Sequence, residues 1–299
     1  MIYTVTLNPA LDYVIQVDHF KPGQINRNKK EDIFYGGKGI NVSCILNELD
    51  FKSTAFGFIA GFTGKALSDG LEKMGITSDF IPVEKGMTRI NVKMKSDEET
   101  EINGMGPIIE DADFKALLAQ TSKLGKGDMI IISGNIPKCM AHDTYETIIV
   151  NLNPEVDLVV DAEKYLLMKI LKFHPFLIKP NNIELAEMFD AEIKNDEDII
   201  FYARKLQELG ARNVLVSMAG DGAILVDENN GVHKLGVAKG TVVNSVGAGD
   251  SMVAGFIAGY LKSNDYEYAL KLGTACGGAT AFHSGLATRE QIEETLATL

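Results

Sequence analysis

The second half of the chain alternates between short apolar runs and amphipathic segments. Uninterrupted runs such as residues 129–132 (MIII) and 214–216 (VLV) predict strands that are buried on both faces. In the segment 196–209, apolar residues recur every three or four positions and Gly210 follows, which predicts a helix with a glycine after its end. This alternation favours a mostly parallel sheet covered by helices on both sides.

The first hundred residues have a different pattern. Residues 12–17 and 89–95 alternate between apolar and polar side chains, which predicts strands with one dry face and one wet face. Helical patterns, one of them at 63–74, lie between them. We therefore predict one α/β domain over residues 1–299, with a small sheet inserted from roughly 12–35 and 88–105. Its otherwise exposed apolar face indicates a lid, a dimer interface or both.

Composition excludes several classes of protein. The 299 residues are 45% apolar and 23% charged, which is typical of a globular protein and excludes a disordered chain, a collagen and a small disulfide scaffold. The net charge of −12 argues against a nucleic-acid binder and against a binder of anionic membranes. An anionic substrate would need a locally basic site.

The cysteines and the first residues of the chain mainly exclude kinds of site and classes of protein. The three cysteines, Cys44, Cys139 and Cys276, are odd in number and far apart, so we expect reduced, buried thiols and neither a disulfide framework nor a zinc site. The first residues lack a basic segment and a long apolar stretch, and no run approaches the 18 or so residues of a membrane span. We therefore expect a cytoplasmic protein.

The first glycine cluster lies directly before an amphipathic helix. Residues 36–41 (GGKGIN) combine glycines, which let the backbone approach a ligand, with the positive end of a helix. Lys38 adds a point charge and Asn41 an amide that can donate and accept hydrogen bonds. The alternative is a tight turn with a surface lysine.

The second cluster, residues 247–251 (GAGDS), also opens a helix, which we predict over about 250–261. Successive amides at a helix start can bind an anion. Asp250 could simply cap the helix. Alternatively, the amides would hold a transferring phosphoryl group while the carboxylate takes the proton from an attacking hydroxyl.

Two other segments follow predicted strands. Residues 179–184 (KPNNIE) place Asn181 and Glu184 three apart at a helix start, as a ligand site or as a capping pattern. Residues 217–222 (SMAGDG) could cover a nucleotide or form a plain β-turn.

The standard nucleotide and metal motifs are missing. No G-x-x-x-x-G-K-[ST], G-x-G-x-x-G or H-E-x-x-H occurs, which argues against a P-loop enzyme, a standard dinucleotide fold and a dedicated metal cage. A magnesium ion held mainly by nucleotide phosphates needs only one or two carboxylates.

Three motifs in order resemble the signatures of the ribokinase superfamily, in its phosphofructokinase B branch. They are residues 6–12 (TLNPALD), the 36–41 cluster and residues 243–251 (VNSVGAGDS). The resemblance covers nearly the whole chain. It implies a ribokinase-like three-layer α/β/α body with a mostly parallel sheet, a small β lid over the sugar, and a homodimer through that lid.

The resemblance also implies roles for individual residues. Asp250 would be the catalytic base, and the amides of Gly247, Ala248 and Gly249 would form the anion hole. The sugar phosphate would be bound by Asp12, Gly37, Lys38, Asn41, Arg89 and Ser133, with Arg27 approaching from the lid or across a dimer. The nucleotide would be bound by Lys179, Asn181, Ser217, Gly220, Gly222 and Gly249. Glu184, with Asn181, would organise Mg²⁺ and the phosphates.

The implied activity is phosphoryl transfer from ATP, with Mg²⁺, to the 6-hydroxyl of fructose 1-phosphate. Within the branch the chain most resembles enzymes for that substrate, through residues 101–107 (EINGMGP), and next those for tagatose 6-phosphate. Relatives often carry Asp-Thr-Ser-Gly where residues 161–164 read DAEK. This difference leaves the predicted fold unaffected and bears only on which sugar phosphate is the substrate. The third hypothesis is a non-catalytic sugar-phosphate binder. The presence of Asp250 and Glu184 argues against it.

Overall fold

The computed structural model describes all 299 residues and contains fourteen strands. The strands are β1 (Ile2–Thr6), β2 (Ala10–Gln16), β3 (Lys30–Gly36), β4 (Ser53–Ala60), β5 (Thr77–Ser78), β6 (Ile81–Val83), β7 (Arg89–Lys95), β8 (Thr100–Asn103), β9 (Met129–Ser133), β10 (Asp157–Asp161), β11 (Leu177–Ile178), β12 (Asn213–Ser217), β13 (Ala223–Val226) and β14 (Val232–Leu235).

Ten α-helices and two single 3₁₀ turns connect the strands. The helices are α1 (Lys38–Glu48), α2 (Gly61–Lys73), α3 (Asp111–Thr121), α4 (Thr144–Val150), α5 (Lys164–Ile170), α6 (Asn182–Met188), α7 (Asp196–Glu208), α8 (Ala248–Ser263), α9 (Tyr266–Ala281) and α10 (Arg289–Leu296), and the 3₁₀ turns are Leu171–Phe173 and Ala219–Asp221.

The large sheet has ten strands in the order β14-β13-β12-β11-β10-β9-β1-β4-β5, with β6 paired to β4. All pairs from β12 to β5 are parallel, and β13 and β14 continue the sheet as antiparallel strands. The parallel part places the carboxyl ends of its central strands at one edge, where ligands bind in folds of this type.

Helices cover both faces of this sheet, because its strands alternate between two cores. The odd and even positions of β9 illustrate this: Ile130 and Ile132 belong to a core of 33 buried residues under α3 to α7. Ile131 belongs to a second core of 26 buried residues under α1, α8, α9 and α10. The three-layer body and the mostly parallel sheet that the sequence predicts are therefore confirmed.

The small sheet, here called the lid, has the order β3-β2-β7-β8 and is built from the two segments with alternating side chains. The β2–β7 pair is parallel and the other two pairs are antiparallel. Register aligns Ile33, Tyr13, Val92 and Ile102 across the four strands in one apolar row. Ile33 is 60% exposed and Ile102 is 65% exposed, so this face of the lid is left open to solvent.

Several local predictions need adjustment. The helix predicted over 63–74 is α2, which begins two residues earlier, and Gly75 follows it with φ +76°. The helix predicted over about 250–261 is α8, which extends from Ala248 to Ser263. Cys44 and Cys276 are buried as expected, whereas Cys139 is exposed, because it lies in the loop after β9 rather than in a core. None of the helices has the length and apolarity needed to span a membrane.

Candidate functional site

A cavity of about 560 Å³ lies between the carboxyl edge of the large sheet and the lid. It brings together most of the residues that the sequence singles out. Those that line it are Asp12, Gly37, Lys38, Asn41, Arg89, Ser133, Lys179, Asn181, Glu184, Ser217, Gly247, Gly249 and Asp250.

Parallel pairing explains why residues far apart in the chain meet here. β9 ends at Ser133 and β10 ends at Asp161, and the two residues are partners in register. Lys179 follows directly after β11, the next strand in the sheet. Polar side chains that follow buried apolar strands therefore converge at one edge.

Helix α1 begins at this edge without a side-chain cap. Its N-cap residue, Gly37, has φ +132°, and a Cβ there would lie 2.6 Å from Cγ2 of Thr6. The amide of Ile40 donates to Oγ1 of Thr6 at 3.2 Å. The amides of Lys38 and Gly39 have no acceptor within the chain. The glycine cluster is thus a close-approach site with free donors, and not only a tight turn.

Helix α8 also begins at a glycine without a side-chain cap. Gly247 is in the left-handed region, with φ +81°, and the amides of Gly249 and Asp250 have no acceptor within the chain. The amide of Ala248 donates to the Ser245 carbonyl at 3.2 Å, and Ala248 does not line the cavity. The donors open to an anion at α8 therefore differ from those predicted, because the turn at Ser245 occupies one of them.

Asp250 is a buried carboxylate in the first turn of α8 and is only 6% exposed. Its Oδ2 accepts a hydrogen bond of 2.7 Å from Nδ2 of Asn41. Burial, together with the nearby charge of Asp161, raises the pKa of Asp250 to about 7. Since α8 has no side-chain cap, Asp250 does not play the capping role that sequence reasoning left open.

Two lysines flank a second buried carboxylate that the sequence analysis did not select. Nζ of Lys38 lies 3.4 Å from Oδ2 of Asp161, and Nζ of Lys179 lies 3.5 Å from its Oδ1. Burial alone would raise the pKa of Asp161, but the charges of Lys179 and Lys38 outweigh it and hold that pKa below its usual value. The sequence did contain a signal for Asp161, because it is the polar residue that ends a buried strand. The same rule selects the segment after β11.

The lid contributes the other end of the cavity. Nε of Arg89 donates to the backbone oxygen of Asn8 at 3.1 Å. Burial lowers the pKa of Arg89, against the opposing charge of Asp12. Oδ1 of Asp12 accepts from Nδ2 of Asn91 at 2.8 Å, and Nζ of Lys93 lies 3.4 Å from Oδ2 of Asp12.

Asn181 and Glu184 form a capping box at the start of α6. The Asn181 side chain accepts from the Glu184 amide, and Oε2 of Glu184 accepts from the Asn181 amide, both at 2.8 Å. The capping alternative is therefore correct for the local geometry. Both residues also line the cavity, and Oε1 of Glu184 has no hydrogen-bond partner within the chain.

Besides Ala248, three predicted site residues do not line the cavity. Arg27 is exposed in the loop between β2 and β3. A Cβ on Gly222 would lie 2.0 Å from the Leu235 carbonyl, so close packing against β14 accounts for this glycine. Gly220 has open space around it, and Ser217 is the member of that segment that reaches the cavity.

The cavity also contains buried polar atoms without partners. Oδ1 of Asn8 and Oγ of Ser133 are buried and accept or donate no hydrogen bond. Sequence reasoning named Ser133 but not Asn8, whose only signal was its place in the 6–12 motif. Together with two lysines and free helix-start amides, the buried carboxylate of Asp250 forms a site suited to moving a proton beside a polyanion.

Comparison with known proteins identifies the class. The family model "pfkB family carbohydrate kinase" matches residues 5–293, so this chain belongs to that family. The 1-phosphofructokinase of Bacillus subtilis is 47% identical over 297 residues, which cover 99% of this chain and 97% of the relative. The D-tagatose-1-phosphate kinase of Bacillus licheniformis is 36% identical, with 99% and 97% covered.

The comparison with solved structures confirms the predicted fold. The crystal structure of ribokinase from Thermotoga maritima superposes with a TM-score of 0.80 at 21% identity, covering 99% of both chains. At that identity the likeness shows the ribokinase-like fold alone.

Proposed function

We propose that this chain is an ATP-dependent 1-phosphofructokinase with Asp250 as its general base. It transfers the γ-phosphoryl group of ATP to the 6-hydroxyl of fructose 1-phosphate and releases ADP and fructose 1,6-bisphosphate. The observation that carries the mechanism is the buried carboxylate of Asp250 beside free amides at the start of α8. The 47% identity to a 1-phosphofructokinase over nearly the full chain supports the substrate.

Asp250 would accept the proton of the 6-hydroxyl as that oxygen attacks the γ-phosphorus. The new O6–P bond forms while the bond from phosphorus to the β,γ-bridging oxygen breaks, and that oxygen leaves on ADP. A pKa of about 7 for Asp250 suits this role, because such a base is largely available near neutral pH and still binds the proton well. The hydrogen bond from Asn41 fixes one carboxylate oxygen and leaves the other for the substrate.

Positive groups would stabilise the phosphoryl group in transit. The free amides of Gly249 and Asp250 point from the start of α8, where the helix dipole adds positive potential. A Cβ on Gly249 would lie 3.2 Å from Nζ of Lys179, so the amides and this lysine act at the same place. Lys38, at the start of α1, contacts the carboxylate of Asp161, as Lys179 does.

The sugar phosphate would lie between these groups and the lid. Arg89, at the start of β7 in the lid, would supply a further positive centre for the phosphate that the substrate already carries. Asp12 is held by Asn91 and Lys93 and can accept sugar hydroxyls. A substrate with a phosphate at one end and a free hydroxyl at the other fits this division.

ATP would enter along the edge lined by Lys179, Asn181 and Ser217. Its Mg²⁺ would be held mainly by the phosphates and by the free Oε1 of Glu184, and it would neutralise phosphate charge. The residues fit such an ion, which needs few protein ligands, although no cluster of three or more metal-binding side chains is present.

A neighbouring substrate is the second candidate. Relatives at 36% and 31% identity are D-tagatose-1-phosphate kinases. The alternative substrate is therefore tagatose 1-phosphate, in place of the tagatose 6-phosphate that the sequence resemblance implies. Both candidates carry the phosphate at carbon 1 and place the 6-hydroxyl at Asp250.

The exposed apolar row of the lid would pair with a second copy of the chain. Ile33 and Ile102 stand at its two ends and are both mostly exposed. A second lid would bury them, and Arg27, also on the lid, would then approach the partner's cavity.

ADP production with MgATP tests the function. Fructose 1-phosphate, tagatose 1-phosphate, tagatose 6-phosphate and fructose 6-phosphate are compared side by side. We expect kcat/KM for fructose 1-phosphate to be at least roughly tenfold above the others, a difference of about 1.4 kcal/mol in transition-state binding. Preference for tagatose 1-phosphate would assign the second function. Preference for either 6-phosphate, or no turnover of any sugar phosphate, would contradict both.

A further inference from the structure

One short loop connects the two lid residues that we assign to the substrate. Residues 104–106 (GMG), here called the linking loop, follow β8 and lie between Asp12 and Arg89. On one side, the Gly104 amide donates to Oδ1 of Asn91 at 3.2 Å, and Nδ2 of Asn91 donates to Asp12. Asn91 therefore uses both ends of its amide to join the loop to the carboxylate.

Asn8 makes the matching connection on the other side. Its Nδ2 donates to the Met105 carbonyl at 3.1 Å, and its own backbone oxygen accepts from Nε of Arg89 at 3.1 Å. Asn8 and Asn91 are 6% and 7% exposed, so these bonds are shielded from water. Shielded hydrogen bonds are costly to break, because the freed groups find no solvent partner.

The glycines of the loop are required by contact and not only by the turn. A Cβ on Gly106 would lie 2.3 Å from Oδ1 of Asn8, and the residue has φ +90°. A Cβ on Gly104 would lie 2.8 Å from the Ile90 carbonyl and 3.0 Å from Cβ of Arg89. Any larger residue at either position would displace a partner of Arg89 or the strand that carries it.

We propose that the linking loop, through Asn8 and Asn91, is a specificity element that holds Asp12 and Arg89 in fixed relation to each other. This inference rests on the proposed function, in which Asp12 binds sugar hydroxyls and Arg89 binds the substrate's own phosphate. The loop thereby sets the distance between hydroxyl recognition and phosphate recognition. Asn8 and Asn91 are positioning residues in this scheme, since they act through Arg89 and Asp12.

Two glycine variants separate this role from a general effect on folding. Gly106 and Gly23 both have positive φ and both lie in loops next to lid strands, after β8 and between β2 and β3, but a Cβ on Gly23 would meet nothing within 4 Å. We expect Gly106→Ala to raise the KM for fructose 1-phosphate by roughly tenfold or more, with the KM for ATP changed by less than about twofold. Gly23→Ala should match the unchanged protein in both constants.

A double variant tests whether the loop acts through Arg89. In an Arg89→Ala background, Gly106→Ala should add little further increase in the KM for fructose 1-phosphate, because the side chain that the loop positions is already gone. Equal losses in the two backgrounds would overturn the proposal. So would a Gly106→Ala protein that behaves like Gly23→Ala, or one in which both KM values rise together.

A second substitution covers the case in which Gly106→Ala does not fold. Asn8→Asp keeps the size of the side chain but removes the donor to the Met105 carbonyl, and should raise the same KM selectively. Asn103→Asp, at an exposed position of β8 opposite Asn91, is its control. Lack of turnover of fructose 1-phosphate by the unchanged protein would contradict the proposed function, whereas normal turnover with a silent Asn8→Asp would contradict only the role of the loop.

Discussion

The two sheets that enclose the cavity are stabilised in different ways. Every residue of β9 in the large sheet is buried, whereas every residue of β8 in the lid is exposed. The groups of the body, such as Asp161 and Asp250, are therefore fixed by packing and buried charge. Those of the lid are fixed by hydrogen bonds between polar side chains. We propose on this basis that residues of the body carry out the transfer and that residues of the lid help to select the sugar.

The largest loss of activity should follow substitution of a residue in the α/β/α body. We expect Asp250→Asn to lower kcat by roughly 10²–10⁴-fold, the usual contribution of a positioned base, while leaving the affinity for fructose 1-phosphate nearly unchanged. Steady-state kinetics and calorimetric titration measure the two effects. Asp79→Asn, at an exposed position outside the cavity, is the control. Comparable turnover in the Asp250 variant would remove Asp250 as the base.

The lid should show the opposite kinetic signature. We expect Arg89→Ala to raise the KM for fructose 1-phosphate by roughly 10–100-fold, the range for losing a hydrogen-bonded charge, with a smaller change in kcat. Arg89→Lys should recover part of the loss, because it keeps the charge without the planar fork. An unchanged KM for every phosphorylated sugar would place the phosphate elsewhere.

The pH dependence reports on the two buried carboxylates of the body. Since Asp250 must be ionised to act and its pKa is raised to about 7, kcat/KM should fall about tenfold per unit below that pH. The negative charge of Asp161 is one cause of the raised pKa, so Asp161→Asn should move this limb to lower pH. A limb that stays in place in the variant would show that the two carboxylates do not interact.

The same carboxylate should affect stability in a predictable direction. The pKa of Asp250 is raised from 3.8 to about 7 in the folded protein, so folding favours its protonated form. This contribution is fully present below pH 3.8 and is lost as the pH rises through 7. At pH 8, Asp250→Asn should therefore melt on the order of 5 °C above the unchanged protein, with the gap shrinking toward pH 5. Calorimetric scans at both pH values give the comparison.

The smallest kinetic effect should come from the outer face of the lid. We expect Ile33→Asp to convert a dimer into a monomer, because it places a charge in the apolar row, while kcat changes by less than about tenfold. Light scattering measures the mass. Val150→Asp, at an exposed apolar position outside the lid, should leave the mass unchanged. A monomeric unchanged protein would contradict pairing through the lid.

Sequence reasoning succeeded where local pattern and topology agree. Buried runs such as 129–132 became central strands, and the rule that ligands gather at strand carboxyl ends correctly placed Lys179 and Ser217 at the cavity. The helix-start glycines, Gly37 and Gly247, were also informative, because free amides accompany both of them.

Sequence reasoning failed where a residue's importance comes only from its partners. Asp161 gains its role from lysines 123 and 18 positions away in the chain, and Asn8 from Arg89 and the linking loop. No spacing rule detects such contacts. The amide of Ala248 illustrates the same limit, since a single turn bond to Ser245 decides which amides at this helix start are free in the structure.

The missing caps of α1 and α8 have a consequence for the life of the protein. Both helices begin at glycine, without a side chain to satisfy their first amides, so the free protein lacks a contribution of roughly a few tenths of a kcal/mol for each cap, the usual difference between a polar cap and glycine. Bound phosphates would supply those acceptors, and ligands that bind only the folded state protect it from unfolding. The protein with bound phosphates should therefore unfold less often, and be cut by an added protease more slowly, than the same protein without ligand.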